Sequence, residues 1–323
     1  MTPDAVRALA LDLPHVVELP HHGFPSFRAG PKQRIFATMP SDGILRVMLE
    51  PESIRDAVAQ WRWCREGWWG KTLSTVDLGE KSRPHGLDAL KDGRLLVTTE
   101  GTRELAVVDP KTAKVVKRIS TNRDVSHMVA SSPDGKRAWV SSITGGSVTV
   151  IDLAEGKIVT DIPTGKGAEG VAVTPDGREV WVANRSANTL SVIDATSLKV
   201  VATIEAGEFP IRVKFTPDGQ RAIVAFTGSG DVGVFDRGKR TLVKRIPLGR
   251  NAVAGMESRV FQKTFGSSPA PVGILISPDG RHAWVAASHA DVVSVINLDE
   301  LKVDDAWPAG KEPDGLAGTF GKK

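Results

Sequence analysis

The stretch from Gly170 to Gly207, GVAVTPDGREVWVANRSANTLSVIDATSLKVVATIEAG, holds four short apolar runs separated by turn signals. The first, Gly170–Val173, leads into Pro175-Asp176-Gly177. There proline presets φ and glycine accepts a positive φ, so the chain reverses at little cost. The other runs are Val180–Asn184, Thr189–Asp194 and Val200–Ile204. None sustains a 3.6-residue period long enough for a helix, and each has the length and composition of a strand. The stretch therefore predicts a four-stranded antiparallel unit.

Working outward, the same unit recurs. Its turn appears as Lys91-Asp92-Gly93, Pro133-Asp134-Gly135, Pro175-Asp176-Gly177, Pro217-Asp218-Gly219 and Pro278-Asp279-Gly280. The glycines step by 42, 42, 42 and 61 residues, the last step being 42 plus a 19-residue insertion within residues 250–271. Tandem four-stranded units of this length are the blades of a β-propeller. Trp139, Trp181 and Trp284, with Ile223 in the fourth copy, share one register of the second strand and predict packing between blades. Asp109, Asp152, Asp194, Asp236 and Asn297 close the third strand, where a short side-chain oxygen caps the following turn. A residue present in every copy serves the blade rather than one site.

These units resemble the YVTN-type β-propeller repeat, related to the quinoprotein amine dehydrogenase and cytochrome d1 propellers. The segment 181–207 is close to that family's consensus, and the resemblance covers about residues 72–323. It implies a mainly β chain: a propeller of about six four-stranded blades, with a gapped seven-fold ring as the alternative. Five full blades are expected at 83–122, 124–165, 166–207, 208–249 and 270–310. A composite blade is expected to close the ring, with its inner strand from Asp314–Phe320 and its third strand from Thr72–Leu78. The resemblance implies a binding scaffold. The haem and quinone chemistry of its relatives rests on residues with no placed counterpart here, so no cofactor is expected.

Residues 1–78 lack the repeat. A helix from Pro3 to Leu11, extended segments at Val16–Glu18, Ser26–Ala29, Ile35–Thr38 and Ile44–Leu49, and a helix from Pro51 to Ala59 form a small α+β pattern. Asp42-Gly43 signals a hairpin between the last two strands. The stretches VRALALDLPHVVE, GFPSFRAGPKQRIFATMPSDGILRVML and CREGWWGKTLSTVDL resemble the MmcQ/YjbR family, which implies a module often described as DNA-binding. The expected division is thus 1–78 and 79–323, with Thr72–Leu78 fitting both patterns.

Charge and composition narrow the function. The net charge is +4, and residues 1–78 carry nine basic and nine acidic side chains, so no part of the chain forms the basic field that phosphate backbones require. Single Cys64 excludes an internal disulfide and a cysteine-based zinc cluster. The N-terminal stretch does not read as a signal peptide and no apolar run is long enough to span a bilayer, which points to the cytoplasm. Neither a nucleophile-elbow motif nor a phosphate loop is present. Of seven histidines, His21 and His22 are chain neighbours that face opposite ways in a strand, and His282 and His289 fall in turn regions expected to be exposed.

His85 and His127 stand just before the innermost strands of their units, at positions matched later by Glu169, Ile211, Val272 and Asp314. Pseudo-symmetry gathers such positions around one mouth of the central channel. His85, His127, Glu169, Arg212 and Asp314 are therefore the expected ligand-binding ring, water-lined, with no metal assigned. The leading expectation is a non-enzymatic platform for a small ligand, peptide or protein. The alternatives are a DNA-binding protein and a lactonase-like or metal-dependent hydrolase at the channel mouth.

Overall fold

The computed structural model describes residues 36–38, 44–48, 74–249 and 262–318. The expected helices and the first two extended segments of the N-terminal part, Cys64, and His21-His22 lie outside them. Three short strands come first: β1 (Phe36–Thr38), β2 (Ile44–Met48) and β3 (Ser74–Asp77). They form one antiparallel sheet in the order β1-β2-β3. Blade one follows as β4 (Pro84–Ala89), β5 (Leu95–Thr99), β6 (Glu104–Asp109) and β7 (Lys114–Ser120), a meander from inner to outer strand. Four further meanders begin with the inner strands Ser126–Ser131, Ala168–Val173, Pro210–Phe215 and Pro271–Ile276. They end at Pro163, Glu205, Pro247 and Pro308. The five expected full blades are all present.

The repeated residues do what the pattern predicts. Each turn aspartate accepts the backbone N–H two residues on, as Asp134 does from Lys136 and Asp176 from Arg178, both at 3.0 Å. The following glycines have φ between 68° and 89°, the left-handed region that glycine adopts without a steric penalty. The third-strand caps form as well: Asp109, Asp152, Asp194, Asp236 and Asn297 each accept a backbone N–H two or three residues ahead. Second strands are buried because neighbouring sheets pack against them, as blade two and the segment with Val76 and Leu78 do against blade one. Trp139, Trp181 and Ile223 are fully buried, and Trp284 nearly so. Trp181 meets Phe215 edge-on across the boundary between blades three and four, in a cluster with Phe226 and Phe235.

The closing arrangement differs from expectation. Among the described residues there are five four-stranded blades rather than six. Residues 74–77 are not the third strand of a closing blade; they are the edge of the three-stranded sheet. Val76 and Leu78 bury against Leu95, Val97, Ala106 and Val108 of blade one. Leu78 accepts a hydrogen bond from Arg118 of β7, so β3 lies beside the outer strand, the place of a fourth strand. The physical reason is spacing: Leu78 precedes Pro84 by six residues, as Ile162 precedes Ala168, and both are buried. Nor does the described part of Asp314–Phe320 form a strand.

The axis nevertheless repeats six times. The residue before each inner strand is left-handed: Arg83, Val125, Gly167, Phe209 and Ala270, with φ from 47° to 75°. The sixth is Glu312, φ 52°, just before Pro313-Asp314. Neighbouring inner segments also approach alike. A Cβ added to Gly86 would fall 2.5 Å from the His127 carbonyl oxygen, and one on Gly170 2.4 Å from that of Ile211. One on Gly273 would fall 2.0 Å from the carbonyl oxygen of Asp314. The tail thus occupies a sixth inner position as backbone without pairing as a strand.

Candidate functional site at the axial mouth

The second residue of each inner strand stands at the axial mouth, and there the copies diverge; His85, His127 and Glu169 thus lie within their strands rather than just before them. The rings of His85 and His127, from blades one and two, stack with centroids 3.7 Å apart and planes 29° from parallel. His127 Nδ1 lies 2.6 Å from Glu100 Oε1, and its Nε2 lies 3.3 Å from Glu169 Oε1. Glu169 also binds Arg185 at 2.7 Å and Arg212 at 3.0 Å. Arg212 in turn faces Asp314 at 4.0 Å, and Arg83 reaches the second oxygen of Glu100 at 3.2 Å. The structure brings together all five residues expected at the mouth.

At its centre, around His127 and Glu169, the ring is not the water-lined funnel that the sequence predicts. His127 is 7% exposed and Glu169 4% exposed. Blades one and two each contribute a hydroxyl that clamps the next inner strand: Thr98 donates to the His127 carbonyl at 2.5 Å, and Ser141 donates to that of Glu169. His127 and Glu169 are therefore held in a buried, mutually paired centre, where an unpaired charge would be costly, with His85, Arg212 and Asp314 partly exposed around it.

Burial and pairing set the protonation states. Burial is the largest influence on Glu169 and favours the neutral acid. The hydrogen bond and charge of His127, with Arg212 and Arg185, outweigh it and hold the carboxyl well below the usual range. Burial likewise pulls His127 down, but its bonds to Glu100 and Glu169 raise it above an ordinary imidazole. His85 is pushed well below its ordinary value by burial first, then by the charges of His127 and Arg212. The two shifts run in opposite directions, favouring the charged form of His127 and the neutral form of His85. Asp314 is raised, chiefly by burial.

Glu100 and Arg185 are members that the sequence reading missed. Both directly follow a second strand, and their N–H groups bond back to the left-handed lead-in residues Arg83 and Gly167. Ile143, Thr227 and Ser288 hold the same place in the other blades and bond the same way. A repeat position that varies between acid, base and neutral residue was the available signal. Other residues near the ring are engaged elsewhere: Arg123 pairs with Asp161 at 2.8 Å and Asp124 with Arg103 at 3.3 Å. His289 is buried rather than exposed, with its Nδ1 3.2 Å from the Ser268 carbonyl, because the end of the insertion packs over it. His282 is half-buried.

Residues 92–212 match the family described as Cytochrome D1 heme domain. No curated protein sequence matches the chain. Among solved structures, a chain of Kuenenia stuttgartiensis Hydrazine Synthase is similar at 18% identity and a TM-score of 0.53, covering 73% of this chain and 90% of that one. A Streptogramin B lyase structure is similar at 14% identity and a TM-score of 0.60, covering 75% of each chain. At such identities the likeness defines the class alone: the chain is a β-propeller. At the mouth, His85 Nδ1 is the histidine nitrogen left without a hydrogen-bond partner that a haem iron could meet, and the groups around it are engaged with one another. His127 is bonded at both nitrogens, its ring face is covered by His85, and Arg185 and Arg212 are both committed to Glu169.

Proposed function

We propose that this chain is a non-enzymatic binding propeller that receives a small molecule bearing a carboxylate or comparable oxyanion at its axial mouth. We read its repeat as YVTN-type and residues 1–78 as an appended MmcQ/YjbR-like module. The observation that carries the binding reading is Arg212. It stands where blades one, three and five have Gly86, Gly170 and Gly273, at the most crowded approach between inner strands. A guanidinium there serves no demand of the blade. One of its nitrogens holds Glu169, while Nη2 faces Asp314 at 4.0 Å, too far for a hydrogen bond. A ligand oxyanion reaching Nη2 would gain the charge-assisted bond that Asp314 does not make. Binding is favoured over turnover because both nitrogens of His127 go to carboxylates, so it activates no hydroxyl or thiol.

The test is a thermal-shift and calorimetric panel of inorganic phosphate, sulfate and small mono- and dicarboxylates on the purified chain, repeated with Arg212→Met. A ligand that stabilises the wild type and binds at least tenfold more weakly to the variant supports the reading. Ligands that bind both proteins equally, or no binding across the panel, overturn it.

A further inference from the structure

We propose that His85, Glu100 and His127 form a binding site for a divalent first-row transition ion such as zinc. One nitrogen of each ring and one carboxylate oxygen of Glu100 all lie within 4.8 Å of one another. A tetrahedral zinc ion with bonds near 2.0–2.2 Å sets its ligand atoms roughly 3.3 Å apart. The set therefore needs a local rearrangement: the 2.6 Å contact between His127 and Glu100 opens, the widest separation closes, and the two rings, stacked 3.7 Å apart, swing apart so that one nitrogen of each points in its ring plane at the ion.

A second observation is independent of that spacing. His85 Nδ1 is buried and has no hydrogen-bond partner. Buried polar atoms are nearly always bonded, and an unpartnered nitrogen on a ring stacked against another imidazole is one that an ion could fill. His85 has no such duty to the fold, since Ile211 and Val272 hold its place in blades four and five.

The outer contacts are also those of a metal centre. A ligating histidine commonly directs its other nitrogen to a carboxylate, which sets the ring's orientation and basicity. His127 does so toward Glu169, itself fixed by Arg185 and Arg212. Glu100 is steadied by Arg83 through its second oxygen. Two imidazoles and one carboxylate select zinc and its first-row neighbours over magnesium or calcium, which favour all-oxygen sets. Three protein ligands leave a fourth position. For that position alone the inference rests on the mouth being a ligand seat, an oxyanion there bridging the ion and Arg212.

The test uses the untagged full chain, stripped with a chelator and titrated with zinc chloride in competition with a chromophoric chelator. Cobalt absorbance reports the geometry. The expected result is one zinc per chain, not displaced by millimolar magnesium or calcium. Affinity should fall at least tenfold in Glu100→Gln and in His85→Ala, and also in Glu169→Gln, whose residue touches no ion. Far-UV circular dichroism and melting without metal establish that each variant folds. Glu100→Gln, which keeps the side chain's shape, decides the matter alone if His85→Ala does not fold. Zinc uptake unchanged in Glu100→Gln, or no uptake at all, overturns the site. In that case carboxylate binding lost in Arg212→Met would leave the mouth reading standing, whereas zinc binding with no oxyanion binding would leave only the metal site.

Discussion

The boundary around Trp181 and the mouth around Glu169 are both buried, and both are built from one residue per repeat, yet they answer to different physics. At the boundary the copies agree: Trp139, Trp181 and Trp284 hold one register, and the chemistry is apolar area and ring contact. At the mouth the copies disagree: His85, His127, Glu169, Ile211, Val272 and Asp314 share a position but not a charge. Apolar packing tolerates a single solution repeated around the ring. A charged cluster around an axis does not, because identical charges brought together repel. Divergence at the axis is thus a condition for burying ionisable groups there at all.

The contrast can be broken at either end. Trp181→Ala should cost about 3–5 kcal/mol, the range for removing a large aromatic from a packed core, measured by urea denaturation. A loss under about 1 kcal/mol would mean that the boundary is loosely packed. Glu169→Gln should cost about 3 kcal/mol, since it strands His127, Arg185 and Arg212 without their shared counter-charge. A neutral outcome would show water in the mouth after all.

A third measurement separates the regions by pH. The folded-state pKa of His127 is raised, so its contribution is complete below the ordinary histidine value of about 6.5 and fades as pH rises through the folded value. In the metal-free protein, the stability gap between wild type and His127→Gln should be widest near pH 6 and narrow toward pH 9. A gap that holds or widens would contradict the bonded imidazolium. Trp181→Ala has no such pH dependence. The smallest effect belongs to the surface: Arg94 pairs with Asp92 at 2.6 Å with both side chains about half exposed, and Arg94→Ala should shift stability by no more than about 0.5 kcal/mol.

The blades were legible because each of their rules is local. A Pro-Asp-Gly turn, an alternating strand and a closing aspartate lie within a few residues of one another, and 42-residue spacing confirmed them copy by copy. The ring at the mouth followed from symmetry, which places one position of every repeat together without any contact being known. Glu100 and Arg185 escaped because they project from the far end of a different strand, and no spacing rule ties that end to the inner strands. The closing region was misread for a related reason. Thr72–Leu78 fits a third strand by composition, but its distance to Pro84 is that of a fourth, and distance to the next inner strand decides. His127 was placed in water because a polar residue at a channel mouth looks solvated until its partners are seen.

Asp314 has a consequence in time as well as in space. It follows all five blades in chain order, while His85 precedes all but the first strand of blade one. Their meeting at the axis spans most of the propeller's sequence, the kind of non-local contact that forms late and slowly. During synthesis each blade can pack on its predecessor as it emerges, but the mouth stays a partial arc until the last of them is made. A chain halted after the third or fourth blade would display correctly folded sheets and an unfinished ring. The meeting of Asp314 with Arg212 therefore reports whether the ring has been completed, which the presence of folded blades does not.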